Sequence, residues 1–287
     1  MRLDFIKHHL VPEFPVAVCC RVLEVSTSGF YRRRKHPVGK RAARHADLTA
    51  EVTRVFDASH RVYGSPRVRN EIVKAGTPIN RKTVARIMQE NLLRSKVSRK
   101  FRVMTTDSRH DHPIAPNLLD RRFRVDGINL VWLADITYIV TVQGFLYLAT
   151  VMDACSRRIV GWSTADHLRA DLPIAALVAA LADRKPLPGL LHHSDRGVQY
   201  ACTAYRGILA EHRHVASMSR RGNCYDNAPQ ESFFGKFKTE WAPPKPYATR
   251  EEAKAAVFEY IEIFYNRRRS HSSLGYRSPV SFEEGRS

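Results

Sequence analysis

Three consecutive stretches in the middle of the chain are rich in β-branched and aromatic residues, and short segments separate them. The stretches are Leu130–Val142, Phe145–Asp153 and Arg158–Thr164. The segments between them, Gln143–Gly144 and Ala154–Arg157, are short enough to be hairpin turns. This pattern predicts three antiparallel strands.

After the third predicted strand, helical and extended patterns alternate. The sequence predicts a helix, a short strand, a second helix, a fifth strand and a last helix at Asp171–Ala182, Leu190–His193, Gln199–Glu211, His214–Ser219 and Asn227–Glu240. Three strands followed by strand–helix alternation indicate an α/β fold. We therefore expect a mixed five-stranded sheet with flanking helices.

Residues 41–94 show helical periodicity instead. Ser65 and Pro66 predict a capped helix start, Gly76 a helix end, and Asn80 the cap of a further helix. A capped helix with a basic outer face after a short turn is typical of helix-turn-helix DNA-binding domains, although a solvated helical bundle has the same pattern. The outward positions of this last helix are Arg81, Lys82, Arg86 and Gln89.

Residues 1–40 form a small helical segment in this interpretation. Apolar residues between Val16 and Leu23 recur at helical spacing. Ser26 is placed to cap a second short helix that ends in the basic run Arg32–Lys35. The segment is therefore predicted to be a compact pair of helices.

Composition places the chain among ordinary proteins of the cell interior. Of its 287 residues, 44% are hydrophobic and 26% charged, and no apolar run is long enough to span a membrane. No secretory signal is evident. The five cysteines are odd in number and lack CxxC spacing, and the adjacent pairs His8–His9 and Cys19–Cys20 lack the gaps of zinc ligands. We expect a cytoplasmic protein without a membrane partner.

Charge is distributed unevenly along the chain. Residues 1–125 carry 27 Lys and Arg against 11 Asp and Glu, whereas residues 126–287 carry 20 against 17, within a total of +19. A strongly basic front half joined to a nearly neutral back half indicates a DNA-binding region attached to another function. The alternative is a basic surface that serves only solubility.

Two further segments complete the domain prediction. Residues 95–126 are basic and aperiodic, which predicts a linker that lies along phosphate or acts as an exposed tether. Near the C-terminus, Thr249 and Glu252 predict a capping box, and Arg267–His271 is expected to end that helix facing DNA. The predicted domains are residues 1–40, 41–94, 95–126, 127–242 and 243–287.

Three carboxylates are the candidate catalytic residues. Asp135 interrupts an apolar strand, Asp195 closes a short apolar run, and Glu231 lies at the start of a predicted helix. Two-metal phosphoryl transfer needs acidic oxygens that converge on ions about 3.5–4 Å apart, and such oxygens suit Mg²⁺. Each acid also has a simpler interpretation: a buried salt bridge for Asp135, a turn for Asp195 and a solvated acid for Glu231. We expect the three to meet and hold divalent metal.

Spaced sequence blocks surround these acids and continue toward the C-terminus. They read Trp132-x-x-Asp135-Ile-Thr, His193-Ser-Asp195-Arg-Gly-x-Gln199-Tyr200, Cys224-Tyr-Asp-Asn-Ala-x-x-Glu231-Ser-Phe-Phe-x-x-Phe-Lys238-x-Glu240 and Tyr265-Asn-x-x-Arg268-x-x-His271-x-x-Leu274-Gly-x-x-Ser278-Pro-x-x-Phe282. These blocks resemble the DDE transposases of bacterial insertion sequences, specifically the second reading frame, OrfB, of the large family numbered three. The resemblance covers almost the whole chain.

The resemblance implies an RNase H-like catalytic fold, as in retroviral integrases, and Mg²⁺-dependent DNA transposition. It implies two ions per site, with Mn²⁺ as a substitute, and carries the catalytic and metal-ligand roles onto Asp135, Asp195 and Glu231. Position and charge together make six basic residues candidate DNA contacts. They are Arg81, Lys82, Arg86, Lys236, Lys238 and Arg268.

The implied partners are insertion-sequence ends and target DNA, further copies of this chain on DNA, and the upstream-frame protein OrfA or an OrfAB fusion. The implied location is the bacterial cytoplasm, in association with the nucleoid. Two rival functions are a DNA-binding regulator that has lost its chemistry and an RNase H-like nuclease without strand transfer. The presence of all three acids argues against the first, and the basic front half argues against the second.

Overall fold

The computed structural model describes residues 2–35, 39–96, 112–220, 224–243 and 245–286. The chain divides into two compact units, residues 1–94 and 95–287. The helices of the first unit are α1 (Arg2–Phe5), a π-helical turn (Ile6–Leu10), α2 (Val16–Val22), α3 (Thr27–Lys35), α4 (Lys40–Ala58), α5 (Ser65–Lys74) and α6 (Arg81–Glu90). No helix within the described ranges is long and apolar enough to cross a membrane.

Helices α5 and α6 follow most of the sequence prediction. Gly76, with φ at +94°, ends α5, and the Asn80 side chain caps α6 by accepting a hydrogen bond of 2.8 Å from the Thr83 amide. The prediction that Ser65 caps α5 was wrong. Ser65 is the first residue of the helix, and Gly64 occupies the cap position. On α6 the buried residues are Val84, Ile87 and Met88, and the exposed ones include Arg81, Lys82, Arg86 and Gln89.

The N-terminal residues contain the two predicted helices and one more. Helices α2 and α3 are present, and Ser26 accepts a hydrogen bond of 3.1 Å from the Gly29 amide, as a cap does. The additional element is α1 with its π-helical turn, which buries Ile6 against Phe30 and its neighbours. Because this element is short and charged, its pattern in the sequence is weak.

The second unit is built on a five-stranded sheet. Its strands are β1 (Val131–Thr141), β2 (Gly144–Asp153), β3 (Ile159–Ala165), β4 (Leu191–Ser194) and β5 (Val215–Met218), in the order β3-β2-β1-β4-β5. The first three strands pair antiparallel through the two predicted turns, whereas β4 pairs parallel with both β1 and β5. The predicted mixed sheet is therefore confirmed.

Helices flank this sheet. They are α7 (Asp171–Arg184), α8 (Val198–Ala201), α9 (Thr203–Glu211), α10 (Ala228–Glu240), α11 (Arg250–Phe258) and α12 (Pro279–Glu284), with a 3-10 turn (Cys224–Asn227), a π-helical segment (Glu259–Tyr265) and a second 3-10 turn (Ser272–Leu274). One core joins Trp132 and Ala134 of β1 to Leu177 of α7 and Tyr205 of α9. A second, aromatic cluster joins α10 to the π-helical segment, where Phe233 and Phe237 lie against Tyr260.

The single helix predicted at Gln199–Glu211 is two helices. Cys202 separates α8 from α9 with an extended backbone, φ −64° and ψ 152°. Its sulfur then caps α9 by accepting a hydrogen bond of 3.5 Å from the Tyr205 amide. An extended cap residue interrupts the helix even though the apolar periodicity continues through it.

The predicted linker is only partly described, because residues 97–111 lie outside the described ranges. Its later part, residues 112–126, is mostly exposed but is anchored to the sheet at a few positions. Leu119 is buried, and the amide of Leu118 donates a 3.0 Å hydrogen bond to Ser217 Oγ on β5. The side chain of Asn117 reaches Asp226 at 2.9 Å. This stretch packs on the sheet because it supplies an apolar anchor and polar partners to buried groups.

The C-terminal helix begins as predicted. Thr249 accepts a 3.1 Å hydrogen bond from the Glu252 amide. The expected DNA-facing role of the whole run Arg267–His271 is wrong in part, because Arg269 and His271 are buried while Arg268 is exposed. The Arg269 guanidinium forms an ion pair with Glu240 at the end of α10.

Candidate active site

Asp135 lies on β1, and Asp195 directly follows β4, the strand that pairs parallel with β1. The register pairs Leu133 of β1 with His193 of β4. This is the last pair of the ladder, and each acid lies two residues beyond its member of that pair. The sheet therefore places the two carboxylates side by side at the end of β4.

The carboxyl of Asp135 is electrostatically linked to the other acids. Burial raises its pKa well above the ordinary value, and the negative charges of Asp195 and Glu231 raise it further. A hydrogen bond from the Ile136 amide to Asp135 Oδ1, 2.8 Å long, and the nearby charge of Lys238 oppose that rise. Asp195, Glu231 and Lys238 are therefore near enough to Asp135 to affect the pKa of its carboxyl.

Two side-chain amides fasten α10 to β1 beside Glu231. Asn227 donates a hydrogen bond of 3.0 Å to the Ala134 carbonyl, and Gln230 donates one of 2.6 Å to the Leu133 carbonyl. Gln230 also accepts a bond of 3.1 Å from Thr150 Oγ1 on β2. Glu231 follows directly, and although it is exposed, the surrounding protein displaces enough solvent to raise its pKa.

Asp226 anchors the segment that precedes α10. Its buried carboxylate accepts hydrogen bonds from the side chains of Arg220 at 3.0 Å, Arg121 at 3.0 Å and Asn117 at 2.9 Å. The bonds from Arg220 lower the pKa of Asp226 far below its ordinary value. The carboxylate is therefore charged. It joins residues 117–121 and Arg220 to the segment before α10, a role that its sequence motif does not indicate.

A buried histidine supports the end of β4 ahead of Asp195. His193 Nδ1 lies 2.9 Å from Ser217 Oγ, and Nε2 lies 3.1 Å from Ser219 Oγ. Ser217 Oγ already accepts backbone hydrogen bonds from Leu118 and Leu119, so its own hydrogen is left for Nδ1. Asp195 itself accepts a 2.9 Å bond from the Gly197 amide, which fixes one carboxylate oxygen.

The predicted DNA contacts fall in different places. Arg81, Lys82 and Arg86 are exposed on α6 in the first unit. In the second unit Arg268 is exposed, whereas Lys236 and Lys238 are half-buried on α10. The ammonium of Lys238 lies 4.7 Å from the centre of the Tyr138 ring, which directs this lysine along β1 toward Asp135.

The donor set fits a divalent cation of the Mg²⁺ type. All three converging acids offer carboxylate oxygens, which such cations prefer, and their mutual repulsion would be relieved by a positive ion. Within the described residues, no three His, Cys, Asp or Glu side chains are close enough to form a finished metal site. The three carboxylates therefore approach one another without forming a closed cluster.

Known protein families match three segments of the chain. Residues 126–224 and 231–286 each match a family described as an integrase core domain, and residues 43–101 match an HTH-like domain. The first two matches contain all three acids. The third contains the whole of α5 and α6.

Curated relatives match over nearly the full length. The chain is 41% identical to the transposase InsF for insertion sequence IS3A of Escherichia coli (strain K12), covering 99% of this chain and 98% of that protein. It is 42% identical to an uncharacterized 31 kDa protein of insertion element IS600 of Shigella sonnei, covering 92% and 97%. The HTLV-2 integrase catalytic core domain is a remote structural likeness, with 14% identity and a TM-score of 0.42 over 55% of this chain and 99% of that one. The chain thus belongs to the IS3 family of insertion-sequence transposases.

Proposed function

We propose that this chain cuts and rejoins DNA at insertion-sequence ends, and that Asp135, Asp195 and Glu231 form its metal-binding catalytic triad. The observation that carries the proposal is the parallel register that sets Asp135 beside Asp195, with Glu231 on a helix fastened to the same strand. Membership in a transposase family with an integrase core supports the reaction class. Mg²⁺, with Mn²⁺ as substitute, is the proposed cofactor, with two ions in the site.

The reaction has two displacement steps at phosphorus. In the first, a water oxygen attacks the phosphodiester at the element end, the bond from phosphorus to the 3′ oxygen breaks, and the strand ends in a 3′-hydroxyl. In the second, that hydroxyl attacks another phosphodiester, and a new strand junction forms as a different 3′ oxygen leaves. When bound, the metal pair would activate the attacking oxygen and stabilise the leaving one.

The protein's own residues position these groups. In this proposal the three carboxylates supply the metal-binding oxygens, and the Gly197 and Ile136 amides orient Asp195 and Asp135. Lys238 projects toward the same acids and is placed to meet a DNA phosphate there. In the first unit, the exposed basic face of α6 is proposed to bind the element end, with Arg81, Lys82 and Arg86 as contacts.

The proposed partners follow from the family resemblance. They are the element ends and target DNA, additional copies of this chain assembled on DNA, and the upstream-frame protein OrfA, free or as an OrfAB fusion. The proposed place of action is the bacterial nucleoid. The rival function is a regulator that only binds DNA, which would bind element ends but give neither product in Mg²⁺ or Mn²⁺.

Cleavage and joining of a labelled element-end oligonucleotide in Mg²⁺ or Mn²⁺ tests the proposal. Wild-type protein and its OrfAB fusion are expected to give both products, and Glu231→Gln is expected to give neither while still binding DNA. Glu211→Gln, an exposed acid on α9, is the matched control and should keep full activity. Products from Glu231→Gln at the wild-type rate would exclude the triad.

A further inference from the structure

Residues 2–35 form a helical body with a core of their own, and they lie outside the segment that matches the HTH-like domain. The core consists of four buried side chains from three helical elements. They are Ile6, Cys19, Cys20 and Phe30. Phe30 is the one buried residue of α3, so a single aromatic side chain anchors this helix.

The connection between α2 and α3 is a tight turn with a defined hydrogen-bond pattern. Four residues separate the helices, and the second of them, Glu24, has φ at +53°. The Val25 amide donates to the Cys20 carbonyl at 2.9 Å, and the Glu24 amide donates to the Arg21 carbonyl at 3.3 Å. These two bonds around a left-handed residue are the Schellman arrangement that ends a helix sharply.

The start of α3 is fixed as firmly as the end of α2. The Ser26 side chain caps α3 through the Gly29 amide. The same chain uses this combination a second time, where the left-handed Gly76 ends α5 and Asn80 caps α6. Helix α6 lies in the HTH-like segment, so α2 and α3 repeat the local construction of a helix-turn-helix.

The two sides of α3 differ in what they contact. With 3.6 residues per turn, Ser28, Tyr31, Arg32 and Lys35 lie on the side opposite Phe30, and all four are exposed. Arg33 and Arg34 are also exposed, but they flank Phe30 and line a cavity of about 190 Å³ next to α1. Arg33 also lies 3.9 Å from Asp4. The outward stripe therefore combines a hydroxyl, an aromatic ring and two cations on a rigidly placed helix.

We propose that α3 is a second DNA-binding helix, which contacts duplex DNA through Ser28, Tyr31, Arg32 and Lys35. Charge complementarity selects this partner, because residues 2–35 hold seven Lys and Arg against three Asp and Glu. Arginine and lysine on an outward helical stripe reach phosphates and base edges in the major groove, and Ser and Tyr supply further hydrogen bonds to the backbone. The chain then holds DNA at two separate helix-turn-helix elements.

The test is DNA binding by the full chain in EDTA, so that it is independent of the cleavage chemistry. The probe is a fluorescein-labelled 40-base-pair duplex of one fixed sequence, titrated at several salt concentrations. Arg32→Gln/Lys35→Gln is expected to weaken binding about 10-fold at 0.1 M salt and to reduce the salt slope by roughly 0.9 per lost phosphate contact.

Arg33→Gln/Arg34→Gln is the matched control, because it removes the same charge from the same helix on the inner side. It should weaken binding much less than the outward pair, and circular dichroism should show equal helicity and melting for both variants. Equal loss of affinity in the two variants, or no loss in the outward pair, would overturn the proposal. A loss of cleavage by Glu231→Gln with unchanged binding would leave it intact.

Discussion

The side-chain amide of Gln230 donates a 2.6 Å hydrogen bond to the carbonyl of Leu133. This bond joins the residue before Glu231 to a residue two positions before Asp135, so it sets the distance between the first and last acids of the site. Thr150 on β2 completes the contact at 3.1 Å. The proposed catalytic geometry thus depends on a buried amide that carries no charge.

Gln230→Leu should therefore disturb the site more than the fold. Loss of the amide leaves buried polar groups of β1 and β2 without their partner, which is expected to cost about 1–3 kcal/mol of unfolding free energy. Cleavage should fall further than this stability loss explains, with DNA binding in EDTA unchanged. Urea unfolding and single-turnover cleavage measure the two effects, and a variant with wild-type cleavage would show that Gln230 does not position Glu231.

Gly161 marks the closest approach of β3 to α7. A Cβ at this position would overlap the Ala176 carbonyl oxygen and would lie 2.7 Å from the Ala180 amide nitrogen. Gly161→Ala is expected to destabilise the protein by about 1–3 kcal/mol, because a backbone must shift to accept it. Gly207→Ala on α9 meets nothing within 4 Å and should stabilise by about 0.5–1 kcal/mol. Thermal unfolding that moves both variants in the same direction would contradict this packing.

Arg269 and Glu240 form an ion pair that is shielded from solvent. Arg269→Gln should cost about 3–5 kcal/mol of unfolding free energy, because it leaves the Glu240 carboxylate buried without its partner. The neighbouring exposed Arg267→Gln should change it by less than about 0.5 kcal/mol. Replacing both buried partners by Met should lower the free energy of unfolding less than Arg269→Gln alone, because no buried charge is then left unpaired. If the double replacement lowered the free energy of unfolding more than Arg269→Gln does, the ion pair itself would be stabilising.

Buried histidines give stability a dependence on pH. Burial lowers the pKa of His192 from its ordinary 6.5 to about 3 and that of His193 to about 4. Both remain neutral in the folded protein but take up protons when it unfolds, so their contribution is present above about pH 6.5 and is lost as the pH falls. Between pH 7 and pH 5, His192 alone accounts for about 2 kcal/mol.

Urea unfolding of wild type and His192→Gln at pH 7 and pH 5 measures this contribution. The variant is expected to lose less stability than wild type over that interval, because glutamine has no proton to gain. An identical loss in both proteins would mean that His192 titrates in the folded state as it does in the unfolded one.

The sequence predicted the strands and singled out the three acids as candidates because both depend on neighbouring residues in the chain. An aspartate within an apolar strand, such as Asp135, indicates a functional carboxylate through its immediate neighbours in the chain. The roles of Asn227, Gln230 and Asp226 depend on which carbonyls and cations meet them in space, and no spacing rule contains that information. The burial of Leu119 was not predicted either, because a single apolar side chain within a basic stretch has no periodicity.

The interpretation of Arg269 failed for a geometric reason. The segment Glu259–Tyr265, which precedes the three arginines, is π-helical. A π-helical turn takes up more residues and rotates the positions that follow it, so the buried side of the helix reaches Arg269 rather than Arg268. Three consecutive arginines look alike in the sequence whether one of them is buried or not.

The most direct test of the triad is whether its acids act as one unit. Single-turnover cleavage of an element-end oligonucleotide in Mg²⁺ would be compared for wild type, Asp135→Asn, Asp195→Asn and the variant that carries both changes. Each single change is expected to slow cleavage by about 10³-fold or more, and the double change to slow it little further, because residues of one catalytic unit are not additive. Wild-type rates in either single variant, with DNA binding intact, would contradict the assignment.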